Sequence, residues 1–178
     1  MRITTISIIF LLALFLSCGN NNTKNVGIEP QEANQQKKTI SAKAIENFKY
    51  NDYILSSDAE KEVRDWSKFQ ELSTQISFLK RADITFFTSE KDTLKVFLDS
   101  LKVNIPENIN TNSVIARVST LETKLLKLND DLTLENYNAE NKLKSIKELL
   151  IANSNLIYVI NKKLEFDLND VGRPEDEE

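Results

Sequence analysis

A chain of 178 residues with 40% apolar and 28% charged side chains and a net charge of −4 leaves room for about one folded domain. The acidic balance argues against a nucleic-acid partner; the absence of histidine and the single cysteine remove the usual parts of triads, thiol nucleophiles and zinc sites, so no catalytic residue, metal or cofactor is expected. Three glycines and three prolines are too few for a turn-rich sheet and favour few, long helices.

The chain opens with "MRITTISIIFLLALFLSC", one positive charge at Arg2 followed by an apolar stretch from Ile6 to Leu16. That stretch is too short to cross ~30 Å of hydrocarbon but suits the apolar part of a signal peptide, so residues 1–17 are expected to be one. The end of the leader, "FLSC", resembles the lipobox of bacterial lipoproteins, in which cleavage falls just before a cysteine that has received diacylglycerol. Cys18 matches the cysteine and Ser17 the small residue before it, while Phe15 stands where leucine is usual. The resemblance implies that Cys18 is the lipidated N-terminus of the mature chain. Each buried methylene contributes ~0.8 kcal/mol, so two or three acyl chains hold a protein at a membrane without a spanning helix. Losing Arg2 with the leader leaves 22 basic against 27 acidic residues.

Residues 18–43 read as the lipidated cysteine and a disordered tether. The run "GNNNTKNVGIEPQEANQQKKTISAK" is rich in Asn, Gln and Lys and lacks the apolar surface that offsets conformational entropy. Its reach as a coil is roughly 25–30 Å. Lys37 and Lys38 are placed to touch anionic lipid. No acidic run follows Cys18, and by analogy with surface-exported lipoproteins of flavobacterial type, which carry one, the protein is expected at the outer membrane facing the periplasm.

Residues 44–170 read as a helical bundle. "AIENFKYNDYILS", 44–56, has too many apolar groups for a free linker and is expected to pack as a short helix or extended segment. Ser57 with Glu60 forms a capping box. The stripe Ala59, Val63, Trp66, Phe69, Leu72, Ile76 and Leu79 predicts one helix from 58 to about 86. Ser89 with Asp92 opens a shorter helix with Leu94, Phe97, Leu98 and Leu101 inside, stopped before Pro106. Thr111 or Asn112 opens a third, whose apolar residues Val114, Val118, Leu121, Leu125, Leu128 and Leu132 form a heptad seam. After "TLENYN", Asn138 can cap a last helix with the stripe Leu143, Ile146, Leu150, Asn153, Ile157, Ile160 and Leu164. Two heptad helices joined by a few residues lie antiparallel, so the expected fold is all-α: a three- or four-helix up-down bundle containing an antiparallel heptad hairpin. Gly172 ends the last helix, and 171–178 is an acidic tail.

Few residues invite a chemical reading. Asn153, on the seam of the last helix, suits a polar core position that sets helix register. Trp66, in step with Val63 and Phe69, reads as core rather than binding hot spot. Asp130 and Asp131 point in different directions on a helix, so they read as a solvated helix end rather than an acid/base pair. Lys162–Lys163 is too small for a nucleic-acid footprint. Thr93 in "DTL" and Ser100 in "DSL" match the short O-glycosylation acceptor pattern of flavobacterial-type secreted proteins, though both fall on a predicted helix.

With "LETKLLKLNDDLTLEN" and "KELLIANSNLIYVINKKLEFD" in view, the body resembles the small uncharacterised helical lipoproteins of flavobacterial-type envelopes, which implies an address and no activity. The expectation is a non-enzymatic, lipid-anchored envelope protein. It would touch the membrane through its N-terminal lipid and present a helical face to a protein partner or to another copy of itself. The alternative is a periplasmic carrier of a lipid or apolar ligand within the bundle.

Overall fold

Spacings of three and four residues become six α-helices in the computed structural model, which describes residues 40–135 and 137–170. Cys18, the leader, the tether as far as 39 (with Lys37 and Lys38) and the tail 171–178 lie outside the described residues. The helices are α1 (Ala42–Glu46), α2 (Ser57–Glu62), α3 (Ser67–Lys80), α4 (Lys91–Val103), α5 (Asn112–Thr133) and α6 (Ala139–Asp170). Single 3-10 turns occupy Phe86–Thr88 and Glu107–Ile109, and no strand occurs among the described residues. The protein is all-α.

α1 starts inside the stretch assigned to the tether. Ser41 accepts a hydrogen bond from the Ala44 amide at 3.2 Å, and Ile45 is buried. The rest of 44–56 carries a turn at Asn47, a bend at Tyr50 and no regular element from 51 to 56, where Ser56 is extended, so the expected short helix is followed by an irregular segment. α2 is capped one residue earlier than the capping box requires. Ser56, not Ser57, accepts from the Ala59 amide at 3.2 Å, because the Ser56 backbone is held extended at φ −71°, ψ 163° by Asn161.

The helix expected over 58–86 is two helices with a break at Val63–Trp66, although neither glycine nor proline lies there. Two contacts hold the break. The Trp66 indole N–H donates to the Leu101 carbonyl at 3.0 Å, and the Gln70 side-chain amide donates to the Val63 carbonyl at 2.7 Å. The stripe stays in phase across the break, and every residue of it is buried. α3 ends at Lys80 rather than near 86. The Asp83 amide donates to the Phe78 carbonyl and the Ala82 amide to that of Leu79, a Schellman closure. It places Ala82 at φ 66°, the left-handed region that favours glycine.

α4 begins at Lys91 and buries Leu94, Phe97, Leu98 and Leu101 as expected. α5 buries its whole predicted seam, and Thr111 caps it by accepting from the Val114 amide at 3.3 Å. Asn138 accepts from the Asn141 amide at 2.8 Å at the start of α6. On α6 the predicted Leu143, Ile146, Leu150, Asn153 and Ile160 are buried, Ile157 and Leu164 are half-buried, and Leu149, Ala152 and Leu156 are buried in addition. The wider face follows from its neighbours: α5 packs on one side of α6, α1 and α2 on another.

Contacts between successive helices run in opposite sequence order. Between α3 and α4, Trp66 meets Leu101 and Lys68 lies 5.2 Å from the Phe97 ring centre. Between α4 and α5, Lys91 pairs with Asp130 at 2.8 Å and Lys102 with Glu122 at 3.0 Å. Between α5 and α6, Lys124 pairs with Glu148 at 3.1 Å, and the Lys142 ammonium donates to the Leu132 carbonyl at 3.3 Å. Asn129, buried, donates to the carbonyls of Phe87 and Ser89, each at 2.9 Å, and pins the 86–88 turn to α5.

Candidate interaction surface along α6

The seam between α5 and α6 carries a polar cluster that gathers a hydroxyl, an ammonium and a carboxylate. Ser145 donates to Asp131, while the Lys127 ammonium lies 2.9 Å from Asp131 Oδ2 and 2.5 Å from Ser145 Oγ. A lysine can activate a serine only as the neutral amine. The hydrogen bond to Asp131 raises the Lys127 pKa above its ordinary value, outweighing desolvation, so the group stays an ammonium. Burial pushes the Asp131 carboxyl up, but Ser145 and Lys127 push it further down, below the ordinary carboxylate range. Glu148 behaves alike: burial raises it, and the Lys124 hydrogen bond and the Lys127 charge lower it further. The cluster is a charge-balanced clasp between two helices. It corrects the solvated reading of Asp131, which is buried; its neighbour Asp130 is half-exposed and paired with Lys91, so the two carboxylates do diverge.

Asn153 is 5% exposed, and its Oδ1 has no hydrogen-bond partner among the described residues. Trp66 is buried and stacks on Phe69 at 4.9 Å, so its ring belongs to the core. Thr93 is exposed on α4; the Ser100 hydroxyl, half-buried, donates to the Val96 carbonyl at 2.9 Å. Lys162 pairs with Glu165 at 2.6 Å and Lys163 with Asp167. Among the described residues, no group of three or more Cys, Asp or Glu side chains is placed to hold a metal ion.

Two side chains of α6 that periodicity did not single out organise the segment before α2. Ser154 accepts from the Tyr53 amide at 2.9 Å and donates to the Asn51 carbonyl at 2.5 Å. Asn161 accepts from the Ser56 amide at 2.9 Å and donates to the Ile54 carbonyl at 2.8 Å. Each thus serves the carbonyl of one residue and the amide two residues later. The one available signal was two polar residues seven apart in "SNLIYVIN", beside an apolar stripe. The Tyr53 ring lies on Tyr158, centres 4.9 Å apart.

Of the exposed large apolar side chains among the described residues, Ile54, Tyr158, Phe166 and Leu168 lie on the segment before α2 or on α6, and Val96, Val103, Ile115 and Leu134 lie elsewhere. Ile54 is 82% exposed, Phe166 63% and Leu168 64%. Two clefts flank the C-terminal third of α6. One, of about 490 Å³, is edged by Tyr53, Tyr158, Leu164 and Leu168; the other, of about 660 Å³, by Arg117, Val159, Lys163 and Phe166. An aromatic and aliphatic surface with polar groups at its rim is the composition of a protein-binding patch.

Set against known proteins, the chain matches no family model, no curated protein and no solved structure. Among the described residues, no helix is long and apolar enough to cross a membrane.

Proposed function

We propose that this is a non-enzymatic lipoprotein of a bacterial cell envelope, anchored through lipid on Cys18 at the outer membrane and facing the periplasm. It binds a protein partner through the apolar-edged surface of α6. The body is a four-helix up-down bundle of α3, α4, α5 and α6 with α5–α6 as its heptad hairpin, a reading supported by the opposed order of contacts between successive helices. The observation that carries the binding function is the cleft edged by Tyr53, Tyr158, Leu164 and Leu168, with exposed Phe166 in the neighbouring cleft. On a lipid tether such a surface raises the local concentration of whatever it holds near the membrane. The carrier alternative draws on the clefts beside α6, whose volumes lie in the small-ligand range.

The test has two arms. Globomycin should cause an uncleaved, lipidated precursor to accumulate, and Cys18→Ala should release the protein from membranes; retention of the variant overturns the anchor. A photo-crosslinking residue at position 166 or 168 should trap one defined protein in cells, whereas the same residue at exposed Thr93 should not. Equal trapping at all three positions overturns the surface. A lipid retained in native mass spectrometry in place of a crosslinked protein selects the carrier.

A further inference from the structure

Contacts between α5 and α6 run in opposite sequence order, so the start of α5 stands beside the C-terminal third of α6, and the cleft of about 660 Å³ opens there. Its basic edge is Arg117, Lys162 and Lys163. Val159 and Phe166 supply its apolar part, and among the described residues no carboxylate lines it. Lys162 and Lys163 each lean on a carboxylate of their own helix, Glu165 and Asp167, in surface pairs that hold weakly and exchange readily. The exposed guanidinium of Arg117 pairs with no described residue.

The two helix ends beside the cleft carry opposite, uncompensated charge. α5 has no acidic residue in its first turn, and the amides of Asn112 and Ser113, both lining the cleft, have no acceptor within the helix. Its positive dipole end is therefore unopposed. α6 has no basic residue in its last turn, so its negative end is unopposed too. The chain continues from that end as "VGRPEDEE", with Glu175, Asp176, Glu177 and Glu178 against one cation, Arg173. Four carboxylates leaving a negative helix end are repelled by it and drawn to the positive end beside it, the start of α5.

The chain is long enough to return. Phe166 and Val159 stand four and eleven residues before Asp170, so the cleft lies ~6–16 Å back along the α6 axis. Glu175 to Glu178 stand five to eight residues beyond Asp170 and reach ~17–28 Å. Pro174 cannot extend the helix, and Gly172 frees the chain to turn back. We propose that residues 171–178 dock in cis on this cleft, their carboxylates on Arg117, Lys163 and the first turn of α5. The tail is a latch between the start of one helix and the end of the next. Being covalently linked, it holds the cleft against free anions at a high effective concentration. This inference is independent of the partner surface proposed above.

The test compares the full chain with a tail-neutral variant carrying Glu175→Gln, Asp176→Asn, Glu177→Gln and Glu178→Gln. In amide NMR at about 50 mM salt, the signals of Asn112, Ser113 and Arg117 should differ between the two chains, and those of Val96 and Val103 on α4 should not. Raising salt to about 0.5 M should bring the cleft signals together. A peptide of residues 171–178 added in trans should bind the tail-neutral variant at least fivefold more tightly than the full chain, whose seat is filled. Adding Arg117→Gln to the tail-neutral variant should weaken that binding about threefold or more. Coincident cleft signals at low salt, changes as large on α4 as at the cleft, equal peptide affinity for the two chains, or binding indifferent to Arg117→Gln each overturn the proposal. Should Arg117→Gln cost the chain its helical circular dichroism, the two spectra and their salt dependence decide.

Discussion

The indole of Trp66 donates to the carbonyl of Leu101 across 3.0 Å, joining the start of α3 to the last turn of α4 inside the core. Leu101 is among the last four residues of α4, whose carbonyls lack partners within the helix. Trp66→Phe keeps a ring against Phe69 but strands that acceptor, and the smaller ring leaves a void. A loss of about 2 kcal/mol is expected in chemical denaturation. In wild type, Trp66 emission should be blue-shifted and almost unquenched by acrylamide; ready quenching would place the ring at a surface.

Asp131 ties acid stability to the α5–α6 clasp. Its folded pKa lies below the unfolded one, because the lowering by Ser145 and Lys127 exceeds the raising by burial. The carboxylate thus contributes stability at neutral pH that is lost as pH falls below about 4 and through the folded value. Asp131→Asn should cost about 1 to 2 kcal/mol at pH 7 and much less at pH 2, so that the two stability curves converge in acid. Parallel curves from pH 7 to pH 2 would show that the carboxylate's charge contributes nothing.

Asn153 holds its Oδ1 in the core without a partner among the described residues, a cost of about 1 to 3 kcal/mol for a polar group so placed. Asn153→Leu removes that cost and extends the apolar seam, so the melting temperature should rise by about 4 °C. A fall instead would mean that leucine's shape does not fit the seam, with overpacking outweighing the polar group removed.

Ala82 occupies the left-handed position of a Schellman closure, at φ 66°. Its Cβ costs about 1 to 2 kcal/mol there, more than the extra freedom that glycine brings to the unfolded chain. Ala82→Gly should therefore stabilise by about 0.5 to 1 kcal/mol in urea, with an unchanged slope. Destabilisation would mean that Ala82 packs more usefully than its backbone suggests.

How much of this was legible beforehand depended on which partner each residue had. The α5 seam was read completely, because a helix buried along one stripe shows its burial as spacing. α6 was read in part: flanked by α5, α1 and α2, it buries Leu149 and Leu156 as well, and a two-sided helix blurs its own period. The break at Val63–Trp66 left no trace, since the apolar steps continue through it and its cause is a carbonyl in α4. Asp131 looked like a helix end because its partner Ser145 lies on another helix. Ser154 and Asn161 showed only as two polar residues seven apart, and their role stayed hidden for a stronger reason: what they hold is backbone, and backbone atoms are the same in every residue.

The segment 51–56 and α6 run in the same direction, residue 51 beside 154 and residue 56 beside 161. A force applied from the N-terminal side, once past α1, meets both contacts along their line of attachment. They are loaded together in shear rather than peeled open in turn. The fold's mechanical strength toward its N-terminal side is therefore shared by Ser154 and Asn161 on its longest helix, the Asp52–Lys80 pair and Leu55 in the core.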